Sequence, residues 1–270
     1  MPNHSKKVQG SPRVGTASAS VDALASRALT LVARRNLKTD TPLDDAFANR
    51  LRDAAADGDK DDVNALIKDM LATGIAGEAI ATVYIPHVAR QLGDEWCDDT
   101  LSFARVTIGT ARLQSALRML GTEWASHNGD DDAGRKAGVV VIVAKDTYHT
   151  LGAMVLCGQL RRLGLSVRIA MGATPQDLGV LFSDSAFDGV LISASEAESL
   201  DSLTECVDAI RQSASACPPI VVGGGVLDQD VDVPAVTGAD FATKDPFEAI
   251  EYCGLTKRIL KAASFAETRS

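Results

Sequence analysis

Val139-Val140-Val141-Ile142-Val143-Ala144-Lys145-Asp146-Thr147-Tyr148-His149-Thr150-Leu151-Gly152 is the stretch that decides the fold. Five β-branched residues in succession, with no polar residue among them, do not suit a strand with one wet face. They read as a strand buried on both faces, as in a parallel sheet covered by helices. The polar loop that follows leads into a helical stretch, which completes one strand-to-helix unit. Further β-branched runs lie downstream at Ser166–Ala170, Gly189–Ile192 and Ile220–Val222, with a weaker one near Asp240–Ala242. Helical patterns at 150–163, 175–184, 199–213 and 245–262 separate them. Strictly alternating elements of this size predict right-handed βαβ units in an α/β, flavodoxin-like (Rossmann-like) five-stranded parallel sheet over residues 139–265.

Upstream the periodicity changes. Residues 126–138 are polar, charged and glycine-containing, which predicts an interdomain linker. Residues 18–125 read as a helical bundle. Apolar side chains recur at three- and four-residue spacing in Val21, Leu24, Leu29, Leu31 and Val32. The pattern resumes in Val63, Leu66, Ile67, Met70 and Leu71, and again in Ile108, Ala111, Leu113, Leu117 and Leu120. Breaks fall at Thr39–Pro42, Ala56–Asp59, Thr73-Gly74 and around Trp96–Thr100. Residues 1–17 carry charge but no apolar stretch, so they read as a disordered tail and not a secretory signal.

Composition narrows the function classes. The 270 residues are 46% hydrophobic and 23% charged, which describes a globular protein with ample core. No apolar run approaches the roughly 18–20 residues of a membrane span. A net charge of −9 disfavours a sequence-independent grip on phosphate, and residues 1–40 carry no recognisable helix-turn-helix. The five cysteines are scattered without a CxxC pair, which fits a reducing cytoplasm better than a disulfide framework or zinc site. There is no GxGxxG after the first strand, no P-loop and no G-x-S-x-G elbow, so dinucleotide, NTPase and hydrolase chemistry have no support.

In a doubly wound sheet, ligands sit beyond the carboxyl ends of the strands where strand order reverses. That singles out the loop Lys145–Thr150, the Ser193-Ala194-Ser195 segment and Gly223-Gly224-Gly225. His149 is one of four histidines in the chain and falls in the first of these loops. An imidazole there is either an incidental loop residue or a donor to a transition metal. The three glycines serve either a tight turn or close approach of backbone to a flat or phosphate-bearing ligand. In the helical half, Leu92-Gly93-Asp94-Glu95-Trp96-Cys97 reads as a turn between helices. Trp96 is then either folded into the bundle core or a flat lid facing the other domain's ligand. Arg161, Arg162 and Arg168 form an exposed basic group, read as a solvated face or a contact for an acidic partner.

Taken in order and spacing, these pieces resemble the cobalamin (B12)-binding proteins that join a helical cap to a flavodoxin-like corrinoid domain. His149-Thr150-Leu151-Gly152 is similar to the end of the family's Asp-x-His-x-x-Gly motif. Forty residues then lie between Gly152 and Ser193, and 29 between Ser193 and Gly223. Pro86, Gly93 and Trp96 are similar in kind to the family's cap motif. The resemblance spans roughly residues 45–255. It implies that His149 is the lower cobalt ligand and that Thr147, Thr150, Gly152, Ser193, Ser195 and Gly223–Gly225 line the site. It also places Trp96 over the upper face. Departures are present: Thr147 stands where the family has Asp, and Ser195 replaces a Leu. Val106 and Thr107 replace a Glu-His pair of the light-sensing repressors. Cys97 lies beside the Trp where some light sensors have His, and reads as a buried, inert thiol.

The Lys145–Val155 stretch resembles most the photosynthesis-gene antirepressors of purple bacteria, the AerR/PpaA group, which are related to a heme-sensor domain. That resemblance implies a non-catalytic, cytoplasmic, light- or redox-responsive regulator. It would carry adenosyl-, methyl- or hydroxocobalamin and act on a partner repressor of the CrtJ/PpsR type, with no direct grip on DNA. Two other readings stay open: a corrinoid carrier for a methyltransferase, and a redox sensor in which His149 or His87 ligates heme.

Overall fold

In a computed structural model of the chain, residues 42–121, 137–144, 150–214 and 216–256 are described. The tail (1–17), the 18–41 pattern with Val21–Val32, most of the linker, and the end of the last helical stretch from residue 257 lie outside them. Asp44 starts the first described helix, α1 (Asp45–Ala56), by accepting from the amides of Ala46 and Phe47. A reciprocal Asp59/Asp62 capping box starts α2 (Lys60–Ala72). The two amides that donate to Asp59 hold its carboxyl below the usual carboxylate range.

A short helix α3 (Gly77–Ala79) runs through a π-helical turn (Ile80–Tyr84) into α4 (Ile85–Cys97). Pro86 has no N–H to give the Thr82 carbonyl, and the ladder widens in the turn just before it. The hydroxyl of the buried Tyr84 accepts from the Asp44 amide at 3.0 Å. Helix α5 (Phe103–Met119) closes the bundle over a core that includes Leu51, Ile67, Met70, Ile85, Val88, Leu92, Leu113 and Leu117.

Three residues expected on the inward stripe point out: Leu71, Ile108 and Ala111 are exposed. Ile108 precedes Leu113 by five residues, about 140° round a helix, so the two cannot share a face. The α5 stripe toward the core runs instead through Gly109, Leu113, Ala116 and Leu117.

The second half alternates as expected: β1 (Gly138–Ala144), α6 (Leu151–Arg162), β2 (Ser166–Ala173), α7 (Pro175–Asp184), β3 (Gly189–Ala194), α8 (Leu200–Ser213), β4 (Ile220–Gly224), α9 (Val233–Thr237), β5 (Phe241–Ala242) and α10 (Pro246–Tyr252). All neighbouring strands are parallel, in the order β2-β1-β3-β4-β5. Successive β1 side chains go to opposite faces. Val140 and Ile142 join the core beneath α7 and α8, whereas Val139, Val141 and Val143 pack with Ala153, Cys157 and Leu160 of α6. The unbroken β-branched run is thus explained by cover on both sides.

Differences from the sequence reading lie at element ends. β3 and β4 run on to Ala194 and Gly224, because small residues continue the backbone ladder after the apolar run has stopped. Gly138, expected in the linker, is the first residue of β1, and Ala137 is buried. α10 ends at Tyr252, as Gly254 turns left-handed at φ 68°, so the expected helical stretch is interrupted at 253–255, and its residues from 257 lie outside the described ones. A 3₁₀ turn (Gly225–Asp228) and α9 were not anticipated. No helix among the described residues is long and apolar enough to cross a membrane.

Gly224 has φ 104°, and a Cβ there would lie 2.2 Å from the Ala194 carbonyl oxygen. Replacement by Ala should therefore cost at least ~2 kcal/mol, as both strain and a clash with backbone apply. Urea unfolding checks this; a loss below ~0.5 kcal/mol would mean that β3 and β4 do not approach as described.

Candidate functional site

The switch in strand order falls between β1 and β3, so the carboxyl ends of β1, β3 and β4 form the floor of a site. Ser193 pairs in register with Gly223, and Ala194 with Gly224, which brings the two sequence-predicted segments side by side. The glycines there are required first by the protein itself. A Cβ on Gly223 would meet the Thr243 carbonyl at 2.7 Å, and one on Gly225 the Glu196 amide at 2.9 Å. The consequence is a rim with almost no side chains. Gln229 donates to the Glu196 carbonyl at 2.5 Å, and Lys244 pairs with Asp228, so the loops after β3, β4 and β5 are tied together.

On the other side of the switch, Thr150 precedes α6 and accepts a hydrogen bond from Gln114 Nε2 of α5 at 2.9 Å. Leu151 and Val155 of α6 are buried in the core of the helical half. Gly152 is different from the glycines of the rim. It is exposed, and a Cβ there would meet no atom of the described residues within 4 Å. His149 and Thr147 lie outside the described residues.

The helical half presents an apolar ledge where α4 meets α5. Trp96 is in the last turn of α4, not in a turn between helices, and it is 46% exposed, so it is not folded into the bundle core. It meets Phe103, the first residue of α5, at 5.8 Å between ring centroids, and Phe103 is 66% exposed. Phe103, Thr107 and Gln114 fall on one side of α5 by helical spacing. The ledge therefore runs along the same side of α5 that carries the contact to Thr150. Sequence reading missed Phe103.

Two other expectations are corrected. Cys97 is exposed, not buried. The basic group is not a free solvated face: Arg162 is half-buried against Glu78 at the start of α3, and Arg161 donates to the Val167 carbonyl. Arg161 and Arg168 are both exposed, as expected.

A family model described as the B12 binding domain matches residues 47–120, most of the described helical half. A 20.5 kDa protein encoded in the bchF-crtJ intergenic region of Rhodobacter capsulatus is 34% identical over 182 residues, 67% of this chain and 93% of its own length. The chain belongs to the B12-binding domain family. Its fold is also that of the monomethylamine corrinoid protein of Methanosarcina barkeri, with a TM-score of 0.63 at 16% identity, covering 79% of this chain and 99% of that one.

The family's cofactor is cobalamin, and the residues present fit it. A side-chain-poor rim at Ser193–Ser195 and Gly223–Gly225 leaves room for a long, thin substituent. The half-buried Ser193 hydroxyl has no hydrogen-bond partner among the described residues, so it is available to one. Gly152 allows a flat face to come close to the start of α6, and the Trp96–Phe103 ledge offers an apolar cover. A shallow surface groove between α1 and α2, lined by Arg50, Asp53, Leu66 and Asp69 among others, includes none of these residues.

Burial pushes the thiols of Cys157, Cys206 and Cys253 up to about 11, whereas Cys97 and Cys217 are exposed. A thiol-reactive dye at pH 8 should label Cys97 and Cys217 in the native protein and the other three only on unfolding. Rapid labelling of all five would contradict the described cores. Trp96→Ala should weaken cobalamin retention about tenfold, the loss of one stacked aromatic face. Equilibrium binding followed by absorbance checks this, and unchanged affinity would remove the ledge from the site.

Proposed function

We propose that this B12-binding chain is a light- or redox-responsive regulator that acts as an antirepressor on a partner repressor of the CrtJ/PpsR type. The observation that carries the reading is its 34% identity to a protein encoded beside crtJ in a purple bacterium. The net charge of −9 supports action through a protein partner over a direct hold on DNA.

Bound cobalamin supplies a light-labile cobalt–carbon bond or an exchangeable upper ligand. The rest falls to the chain. His149 would be the chain's donor to the cobalt, with no carboxylate at position 147 to orient its ring. Ser193, Ser195 and Gly223–Gly225 accommodate the nucleotide tail, while Thr147 and Thr150 border the His149 loop. Trp96 and Phe103 exclude water above. Helix α6 starts directly after Thr150, the residue that follows His149, and packs on both halves, so a shift of its first turn would be felt by the cap and the sheet together. The cofactor biases such an element only by contacting its two states differently.

The test uses protein loaded with cobalamin in the dark, assayed before and after illumination for its spectrum and for relief of repressor–DNA binding. The expected result is a light-dependent spectrum and relief that differs between dark and light. His149→Ala should change the spectrum and lose that difference. Light-independent relief, or none, contradicts the regulatory reading. Methyl transfer to a partner enzyme's substrate would favour the corrinoid-carrier reading instead.

A further inference from the structure

The ledge formed by Trp96 and Phe103 hangs on a short turn between α4 and α5, and the way this turn is held is specific. α4 ends in a Schellman arrangement with Asp99 in the left-handed region at φ 56°. The Asp99 amide donates to the Trp96 carbonyl at 3.1 Å and the Thr100 amide to the Glu95 carbonyl at 2.9 Å. Thr100 Oγ1 and the Leu101 amide also donate to that Glu95 carbonyl, so Glu95 is the knot of the turn. Its carboxylate is gripped from α1. Arg52 Nε donates to both Glu95 oxygens, at 2.9 and 3.1 Å, and a terminal guanidinium nitrogen also pairs with it. Each side chain of the pair is only 20% exposed. The other arm of Arg52 reaches Asp53 at 3.0 Å and Asp57 at 3.2 Å, and Asp57 in turn pairs with Arg105 in the first turn of α5.

We propose that Arg52 is a positioning residue for the cofactor-covering ledge, locking the turn between α4 and α5 to α1 so that Trp96 and Phe103 hold one pose. Arg52 reaches one flank of the turn directly, through Glu95, and the other through the Asp57 it shares with Arg105. A planar fork is needed for the two-oxygen grip on Glu95, and a lysine ammonium cannot reproduce it. An isolated surface ion pair would contribute little. This one is partly buried, doubly hydrogen-bonded and joined to a second pair. As a statement about cofactor binding, the inference rests on the proposed place of Trp96 in the site. As a statement about the ledge itself, it does not.

The experiment therefore reads the ledge directly. In a Trp124→Phe background, Trp96 is the only tryptophan. Its emission maximum and acrylamide quenching are measured in the cofactor-free full chain for the parent, Arg52→Lys, Arg52→Ala and Glu95→Gln. Far-ultraviolet circular dichroism of each variant confirms folding. The expected result is unchanged helix content with the quenching constant altered by at least ~1.5-fold in all three variants. Cobalamin affinity is then compared for Arg52→Ala, Trp96→Ala and the double variant. Each single change should weaken binding severalfold, and the double variant should be little worse than Trp96→Ala alone, because Arg52 acts through Trp96. Folded variants with parental Trp96 quenching overturn the proposal, as do fully additive losses in the double variant. If Trp96→Ala leaves affinity unchanged while Arg52→Ala alters quenching, the positioning stands. The place of the ledge in the site then falls.

Discussion

The structure turns on one helix that serves two cores. α6 packs Ala153, Cys157 and Leu160 against the sheet, while Leu151 and Val155 are buried among the helices of the cap. Both of its ends are tied to the cap as well. Gln114 holds Thr150 at the start, and Glu78 pairs with Arg162 at the end. A helix buried on two sides must be apolar on most of its circumference, and the Leu151–Leu160 sequence is. Because α6 begins where the His149 loop ends, its double packing fixes the distance between strand ends and cap.

Around that helix the site is made mostly by what is missing. Ser193, Ala194 and the three glycines carry little or no side chain. Backbone contacts at 2.2–2.9 Å explain why each glycine must stay one. The same residues that the fold keeps small leave a rim in which, under the proposed function, a long cofactor tail would lie. The cap adds the opposite quality: two aromatic side chains, Trp96 and Phe103, left in solvent against each other. Exposed aromatics joined in one patch mark a binding surface more strongly than the same residues scattered.

The sheet was legible because its physics is one-dimensional. An all-apolar run such as Val139–Val143 has one stable environment, and turn residues such as Thr174-Pro175 and Asp245-Pro246 mark helix starts by fixed chemistry. The order of the strands, β2-β1-β3-β4-β5, is that of a flavodoxin-like sheet, the fold the alternating elements predict. Legibility failed where exposure depends on phase between neighbouring helices. Ile108 and Ala111 look like core by spacing alone, and only the packing of α5 on α1 and α4 shows that they face out. The same holds for Glu95 and Arg52: the sequence shows two common charged residues, 43 positions apart, and nothing that pairs them. The His149 loop could be read by resemblance, but the described residues bring only its flank, Thr150, into contact with the cap.

The central claim is that a corrinoid with a nucleotide tail occupies the seam between the strand ends and the Trp96–Phe103 ledge. The most direct measurement compares the purified full chain's affinity for cobalamin, for cobinamide, which lacks the tail, and for heme, by titration followed by absorbance. The account predicts that cobalamin binds at least ~10-fold more tightly than cobinamide, a difference of ~1.4 kcal/mol, and that heme does not compete. Equal affinity for cobinamide, or heme binding as tightly as cobalamin, would contradict it.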